Sequence, residues 1–219
     1  MQNWSGNSMR KYGVLGGTFD PIHFGHLVIA EDAWAYLGLE KVFLVPAFSP
    51  PHKLNDSYST FLHRVRMTQL AIADNPHLAI SCIEAERPGP SYTVDTMRAL
   101  QTVWGPDVEI HFIIGMDSLA NILSWYKPDV LLTLCHLVVA ERAGYNVDVD
   151  AIAQQLPGLR ERMTFIDTPE LSISSTDIQK RVAQGLPIRY QLPAKVEKYI
   201  VRNGLYRGGT PPACQNGRS

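Results

Sequence analysis

The chain has 219 residues, 45% of them hydrophobic, which is enough to bury a substantial core. Twenty Lys plus Arg against 21 Asp plus Glu leave a formal net charge of -1, so no global field draws the protein onto nucleic acid or an anionic membrane, and any anion site must be local. Cys82, Cys135 and Cys214 have neither CxxC pairing nor zinc-ligand spacing, and no apolar run has the length of a membrane span or a signal-peptide core, so the expectation is a soluble cytoplasmic protein with reduced thiols.

Residues 1–10 and 208–219 are polar or Gly/Pro-rich without periodicity and are expected to be flexible tails around a single domain spanning 11–207. Inside it, apolar runs at 12–15, 41–46, 78–82, 108–114, 136–140 and 163–166 read as buried strands, being rich in Val, Ile, Leu and Phe. Between them, residues 25–37, 60–74, 93–103 and 149–156 carry apolar residues at three- and four-residue intervals, as helices packing on a sheet do. Residues 176–184 and 194–203 also read as helices, the second set between Pro193 and Gly204. Strand–helix alternation implies an α/β fold: a doubly wound, mainly parallel, Rossmann-like sheet with helices on both faces, whose ligands bind beyond the carboxyl ends of the strands.

The first strand runs directly into GGTFDPIHFGH, residues 16–26. Gly16, Gly17 and Thr18 are expected to line a strand-to-helix turn, where backbone N–H groups and a helix N-terminus favour phosphate, although a tight turn alone also uses glycine. Neither G-x-G-x-x-G nor G-x-x-x-x-G-K-[ST] occurs, so the dinucleotide fingerprint and the Walker loop are absent. What remains is His23 and His26, three residues apart on one side of a helical turn with Gly25 between them, an arrangement suited to a polyphosphate. The proline-rich connection 47–60, AFSPPHKLNDSYST, is too polar for a core and is long enough to be functional.

These eleven residues resemble the signature of the nucleotidylyltransferase superfamily in its nicotinate mononucleotide adenylyltransferase branch. The resemblance continues through SPPHK (49–53), YTVDT (92–96), IIGMD (113–117), WY (125–126) and ISST (173–176), and so spans nearly the whole chain. It implies transfer of AMP from ATP to nicotinate mononucleotide, giving deamido-NAD and pyrophosphate, with Mg2+ carried on the triphosphate. An already ionised acceptor phosphate needs no general base, so in-line positioning and charge stabilisation suffice. The resemblance assigns catalysis to His23 and His26, with His26 stabilising the transition state, and ATP binding to both together with Gly16, Gly17, Thr18, Phe19, Gly115, Asp117, Ser174, Ser175 and Thr176. Lys53, Tyr92, Thr93, Trp125 and Tyr126 would bind nicotinate mononucleotide, Trp125 stacking on the pyridine ring and backbone N–H groups near Thr93 and Tyr126 receiving its carboxylate. Asp20 is expected to shape the turn before Pro21.

One position departs from the family pattern. Gln179 stands where S-S-T-x-I-R places a phosphate-binding arginine, followed by Lys180 and Arg181. Arg181 is taken as a candidate ATP ligand, but on a helix neither it nor Lys180 points where residue 179 does. Either a neighbour reaches around, another basic residue supplies the charge, or triphosphate binding is weaker, in which case Gln179→Arg would lower the ATP KM. Adenylylation of nicotinamide mononucleotide or phosphopantetheine, and a non-catalytic nucleotide-binding module, are the alternative readings. The pattern neither requires nor excludes a homo-oligomer.

Overall fold

The protein is represented by a computed structural model that describes residues 9–49, 59–141 and 147–207. Its centre is a six-stranded sheet: β1 (Arg10–Gly17), β2 (Lys41–Pro46), β3 (Leu78–Ile80), β4 (Val108–Gly115), β5 (His136–Glu141) and β6 (Met163–Asp167), in the order β3-β2-β1-β4-β5-β6 with every pair parallel. Parallel neighbours need crossovers, and these are helical: α1 (Phe24–Leu37), α2 (Phe61–Ile72), α3 (Thr93–Trp104), α4 (Met116–Ala120), α5 (Pro128–Leu134) and α6 (Val149–Gln155), with α7 (Ser175–Ala183) and α8 (Ala194–Asn203) after the last strand. This is the doubly wound Rossmann-like order, and its direction reverses between β1 and β4.

The period of two along each strand divides the core into two layers. Val14, Ile110, Phe112, Ile114, Leu137 and Val139 face α3, α5 and α6 through Met97, Leu100, Leu131 and Ile152. Leu15, Val42, Leu44, Ile113 and Val138 face the other way, against Ala30 and Ala33 of α1, Met67 of α2, Ile178 of α7 and Val196 of α8. Helices therefore cover both faces, and the carboxyl ends of β1 and β4 are left as the open edge where a ligand can approach backbone.

All six expected strands are present, with boundaries moved by up to two residues. Arg10, placed in the N-terminal tail by its polarity, pairs in β1 with Val108. Gly16 and Gly17 are strand residues paired with Val45 and Pro46, rather than turn residues. α5 has no counterpart among the expected helices, because its VLLTL adjoins Cys135 and the HLVVA of β5 with only Thr133 and His136 as polar breaks, so that the whole stretch reads as one largely apolar run. Cys135, in extended conformation (φ -149°), separates the two, and Pro128 opens the helix. Cys82 and Cys135 are free thiols, the latter buried; Cys214 lies outside the described residues. Among the described residues no helix is long and apolar enough to cross a membrane.

Candidate active site

The junction between β1 and α1 is built around a turn whose left-handed residue is Phe19 (φ +50°), not a glycine. A Phe at positive φ is strained, and burial compensates: Phe19 is 1% exposed, with its ring in the space that a Cβ on Gly17 would enter at 2.8 Å. Phe19 thus contributes a wedge as well as backbone. Its ring meets His26 edge-on, with centroids 5.0 Å apart.

His23 is the N-cap of α1 and His26 sits in its first turn, their rings stacked with centroids 3.8 Å apart. The backbone N–H of His23 donates to Nδ1 of His26 at 3.3 Å, so a neutral His26 carries its proton on Nε2 and is a donor there. Nδ1 of His23 is buried without a partner among the described residues, and lies 3.0 Å from where a Cβ on Gly25 would be. Glycine at 25 is therefore what gives the His23 ring its place. The first turn of α1 holds no acidic side chain, so the positive end of the helix dipole is uncompensated.

His23, Gly25 and His26 form one wall of a cleft of about 190 Å³; Gly115 and Asp117 past β4, Ala140 and Glu141 on β5, and the loop from Thr168 to Ile173 after β6 form the others. A second, larger cleft of about 980 Å³ is lined by Ser91, Tyr92, Thr93, Ser124, Trp125, Tyr126 and Lys127. Asp117 lines both. Two concave spaces thus meet at one carboxylate beyond the end of β4, at the point where the strand order reverses. Trp125 packs with one side on the core near Phe112, and Tyr92 and Tyr126 pair at 4.5 Å between centroids. Lys53 lies outside the described residues.

The start of α7 is engaged in holding itself in place. Ser174 caps the helix, its Oγ accepting from Asp177 N at 3.0 Å and donating to Asp177 Oδ2 at 2.8 Å. Ser175 Oγ donates to the Pro21 carbonyl at 2.9 Å, and Thr176 faces solvent. None of the three lines the cleft; Ile173 is where this segment reaches it. Gln179 Nε2 donates to the Asp20 carbonyl at 2.5 Å and to its carboxylate at 3.3 Å. Arg181, the expected ATP ligand, does not line the cleft; its Nε donates to the Pro187 carbonyl at 2.9 Å, and exposed Lys180 lies 3.9 Å from Asp177. The helical rotation carries both cations away from the cleft.

Asp20, 2% exposed, does more than shape the turn. Its carboxylate accepts from Tyr206 Oη at 2.5 Å, Ser59 N at 3.1 Å and Gln179 Nε2, so it joins the end of the 47–60 connection, α7 and the segment after α8. Buried Arg64 completes the clamp, donating to the carbonyls of Thr18 at 2.8 Å and Ser59 at 3.2 Å. Burial, reinforced by the Asp20 charge, pushes the Tyr206 phenol well up, so it stays a donor throughout the working pH range. Arg64 and Tyr206 carry no motif that marks them in the sequence. Glu141 and the loop 168–173 are foreseen only as residues following strands.

Burial holds both catalytic candidates neutral. The His23 pKa is lowered from 6.5 to about 4 by desolvation, and His26 lies well below its ordinary value through desolvation and then repulsion from His23. In the unfolded chain both rings regain ordinary values, so below pH 6.5 the unfolded state binds more protons and stability is lost as pH falls toward 4. For His23 alone the loss is about 3 kcal/mol. His23→Gln is expected to reduce the acid limb of a stability-against-pH curve between pH 6.5 and 4, read from urea midpoints, leaving the share contributed by His26, His111 and His136, whose pKa values burial also depresses. An unchanged limb would show that His23 is already accessible to protons in the folded chain.

A model of the cytidylyltransferase-like family matches residues 14–181. A probable nicotinate-nucleotide adenylyltransferase of Thermomicrobium roseum is 44% identical over 199 residues, covering 91% of this chain and 92% of that protein. A probable nicotinate-nucleotide adenylyltransferase of a Roseiflexus species is 46% identical over 195 residues, covering 89% and 97%. Among solved structures, the Plasmodium falciparum nicotinic acid mononucleotide adenylyltransferase complexed with NaAD superimposes with a TM-score of 0.75 at 20% identity, covering 90% of this chain and 97% of that one, a likeness of fold.

Proposed function

The chain belongs to the cytidylyltransferase-like family, and we propose that it is a nicotinate-nucleotide adenylyltransferase, transferring AMP from ATP to nicotinate mononucleotide to form deamido-NAD and pyrophosphate. The observation that carries this is the pair of clefts meeting at Asp117. One is walled by imidazoles and a helix N-terminus, the other by aromatic rings. ATP occupies the first, its ribose diol donating to Asp117 and its phosphates facing His23 and His26. The pyridine ring of the acceptor lies against Trp125 in the second, near Tyr92, Thr93 and Tyr126.

In this arrangement an oxygen of the acceptor phosphate attacks the α-phosphorus of ATP in line, a P–O bond forms, and the bond to the bridging oxygen of the β-phosphate breaks with its electron pair leaving on pyrophosphate. No proton has to be removed from the attacking oxygen. Held donors at the departing phosphates, chiefly His26 Nε2–H, supply what the chain contributes, because charge grows there in the transition state. Gly16 and Gly17 end β1 ahead of the turn that carries the two histidines, without lining the cleft themselves. Magnesium bound to the triphosphate would spread the phosphate charge; among the described residues no cluster of three or more His, Cys, Asp or Glu could hold a metal, and Asp117 and Glu141, which line the ATP cleft, are the hard oxygen donors that would be available to such an ion.

Pyrophosphate release should be followed with ATP, magnesium and each acceptor in turn. The expected result is release only with acceptor present and far faster turnover of nicotinate mononucleotide than of nicotinamide mononucleotide or phosphopantetheine. Faster turnover of either other acceptor would replace the assignment, and nucleotide binding with no release would make the chain a binding module.

A further inference from the structure

Lys127 stands at the mouth of the acceptor cleft in a backbone conformation that L residues seldom adopt, φ +53° and ψ +58°. It directly precedes Pro128 at the start of α5 and accepts there from Leu131 N at 3.1 Å. The reversal places it on the wall shared with Tyr92, Thr93, Trp125 and Tyr126. Strained positions of this kind concentrate at sites that use them. Lys127 is the only cationic side chain among the described residues lining this cleft, whose one carboxylate is Asp117. Its Nζ rests 4.9 Å from the centroid of the Tyr126 ring, and among the described residues it forms no ion pair.

The two pyridine mononucleotides differ at one group, a carboxylate against a carboxamide of nearly the same shape. Shape cannot separate them, and charge can. We propose that Lys127 determines acceptor specificity by placing its ammonium beside the ring carboxylate of nicotinate mononucleotide, so that the acid is favoured over the amide. The inference rests on the acceptor reading above. The ring of Tyr126 holds the ammonium by its π face without neutralising it, leaving the charge for the ligand.

Lys127→Gly suits the left-handed backbone and deletes the ammonium, Lys127→Met keeps the aliphatic stem, and Lys127→Arg keeps the charge. For each, kcat/KM is measured with nicotinate and with nicotinamide mononucleotide, the latter as a competitive inhibition constant where its turnover is too slow. The ratio of nicotinate to nicotinamide is expected to fall by about tenfold in the Gly and Met variants, the effect of one charge-assisted contact, and to be largely restored in the Arg variant. An unchanged ratio overturns the proposal, whether both values fall together, as for a phosphate contact or a misplaced loop, or neither falls. Wild-type protein that turns over neither mononucleotide fails the functional reading itself, a result that does not depend on any variant.

Discussion

Replacing His26 by alanine is expected to lower turnover by roughly two to three powers of ten, the cost of losing one fixed donor to an oxyanion. Three contacts fix the ring. His23 N donates to its Nδ1, the His23 ring stacks on one face, and the buried Phe19 ring closes one side. With Nδ1 occupied as an acceptor, the remaining Nε2–H is the group available to the cleft. Because the departing pyrophosphate gains charge only as the bond breaks, the interaction is stronger in the transition state than in bound ATP, so kcat should fall much more than the ATP KM rises. The burial that keeps the ring neutral does not oppose this, since the neutral tautomer already carries its donor proton on Nε2. The check is a steady-state comparison on a variant whose thermal transition matches the parent. A folded His26→Ala with unchanged kcat would remove His26 from the mechanism.

The fold was legible because a parallel sheet buried on both faces leaves continuous Val, Ile and Leu runs, and 108–114 and 136–140 could hardly be anything else. α5 was hidden because it is only seven residues long and adjoins a buried strand, too short for a helical period to stand out beside the apolar run. At the site, the histidine pair and Gly25 were legible as a local pattern, and the structure adds the reason for the glycine, which is room for the His23 ring. The glycine pair misled because flexibility was expected of it. Gly16 and Gly17 stay in the strand, and the positive φ falls to Phe19, a residue that no turn preference would nominate. What could not be read was long-range: Tyr206 meets Asp20 across 186 positions and Arg64 meets Thr18 across 46, contacts that no periodicity encodes. Gln179 is the sharpest case. Its place in the pattern suggested a missing phosphate ligand, whereas its amide is spent on the Asp20 carbonyl and carboxylate, which ties α7 to the turn between β1 and α1.

That network gives the second large effect. Asp20→Ala is expected to destabilise the protein by about 3 kcal/mol, because it strips the acceptor from three donors, Tyr206 Oη, Ser59 N and Gln179 Nε2, around a carboxylate that is 2% exposed. In a domain of this size that corresponds to a fall in Tm of roughly 6–12 °C. Tyr206→Phe removes one donor and leaves the carboxylate its other two, so its cost should be about 1 kcal/mol. The double variant should cost less than the sum of the two singles, since the tyrosine has nothing left to donate to once Asp20 is gone. Catalysis supplies the independent reading. Asp20 follows the strained Phe19 and precedes the His23–His26 turn by three residues, so freeing it lets the turn relax, and the ATP KM should rise even at temperatures where the variant is fully folded. A variant as stable as the parent would mean that water takes over all three donors. Strict additivity with Tyr206→Phe would mean that the tyrosine acts through Met67, 3.8 Å from its hydroxyl, instead of through Asp20.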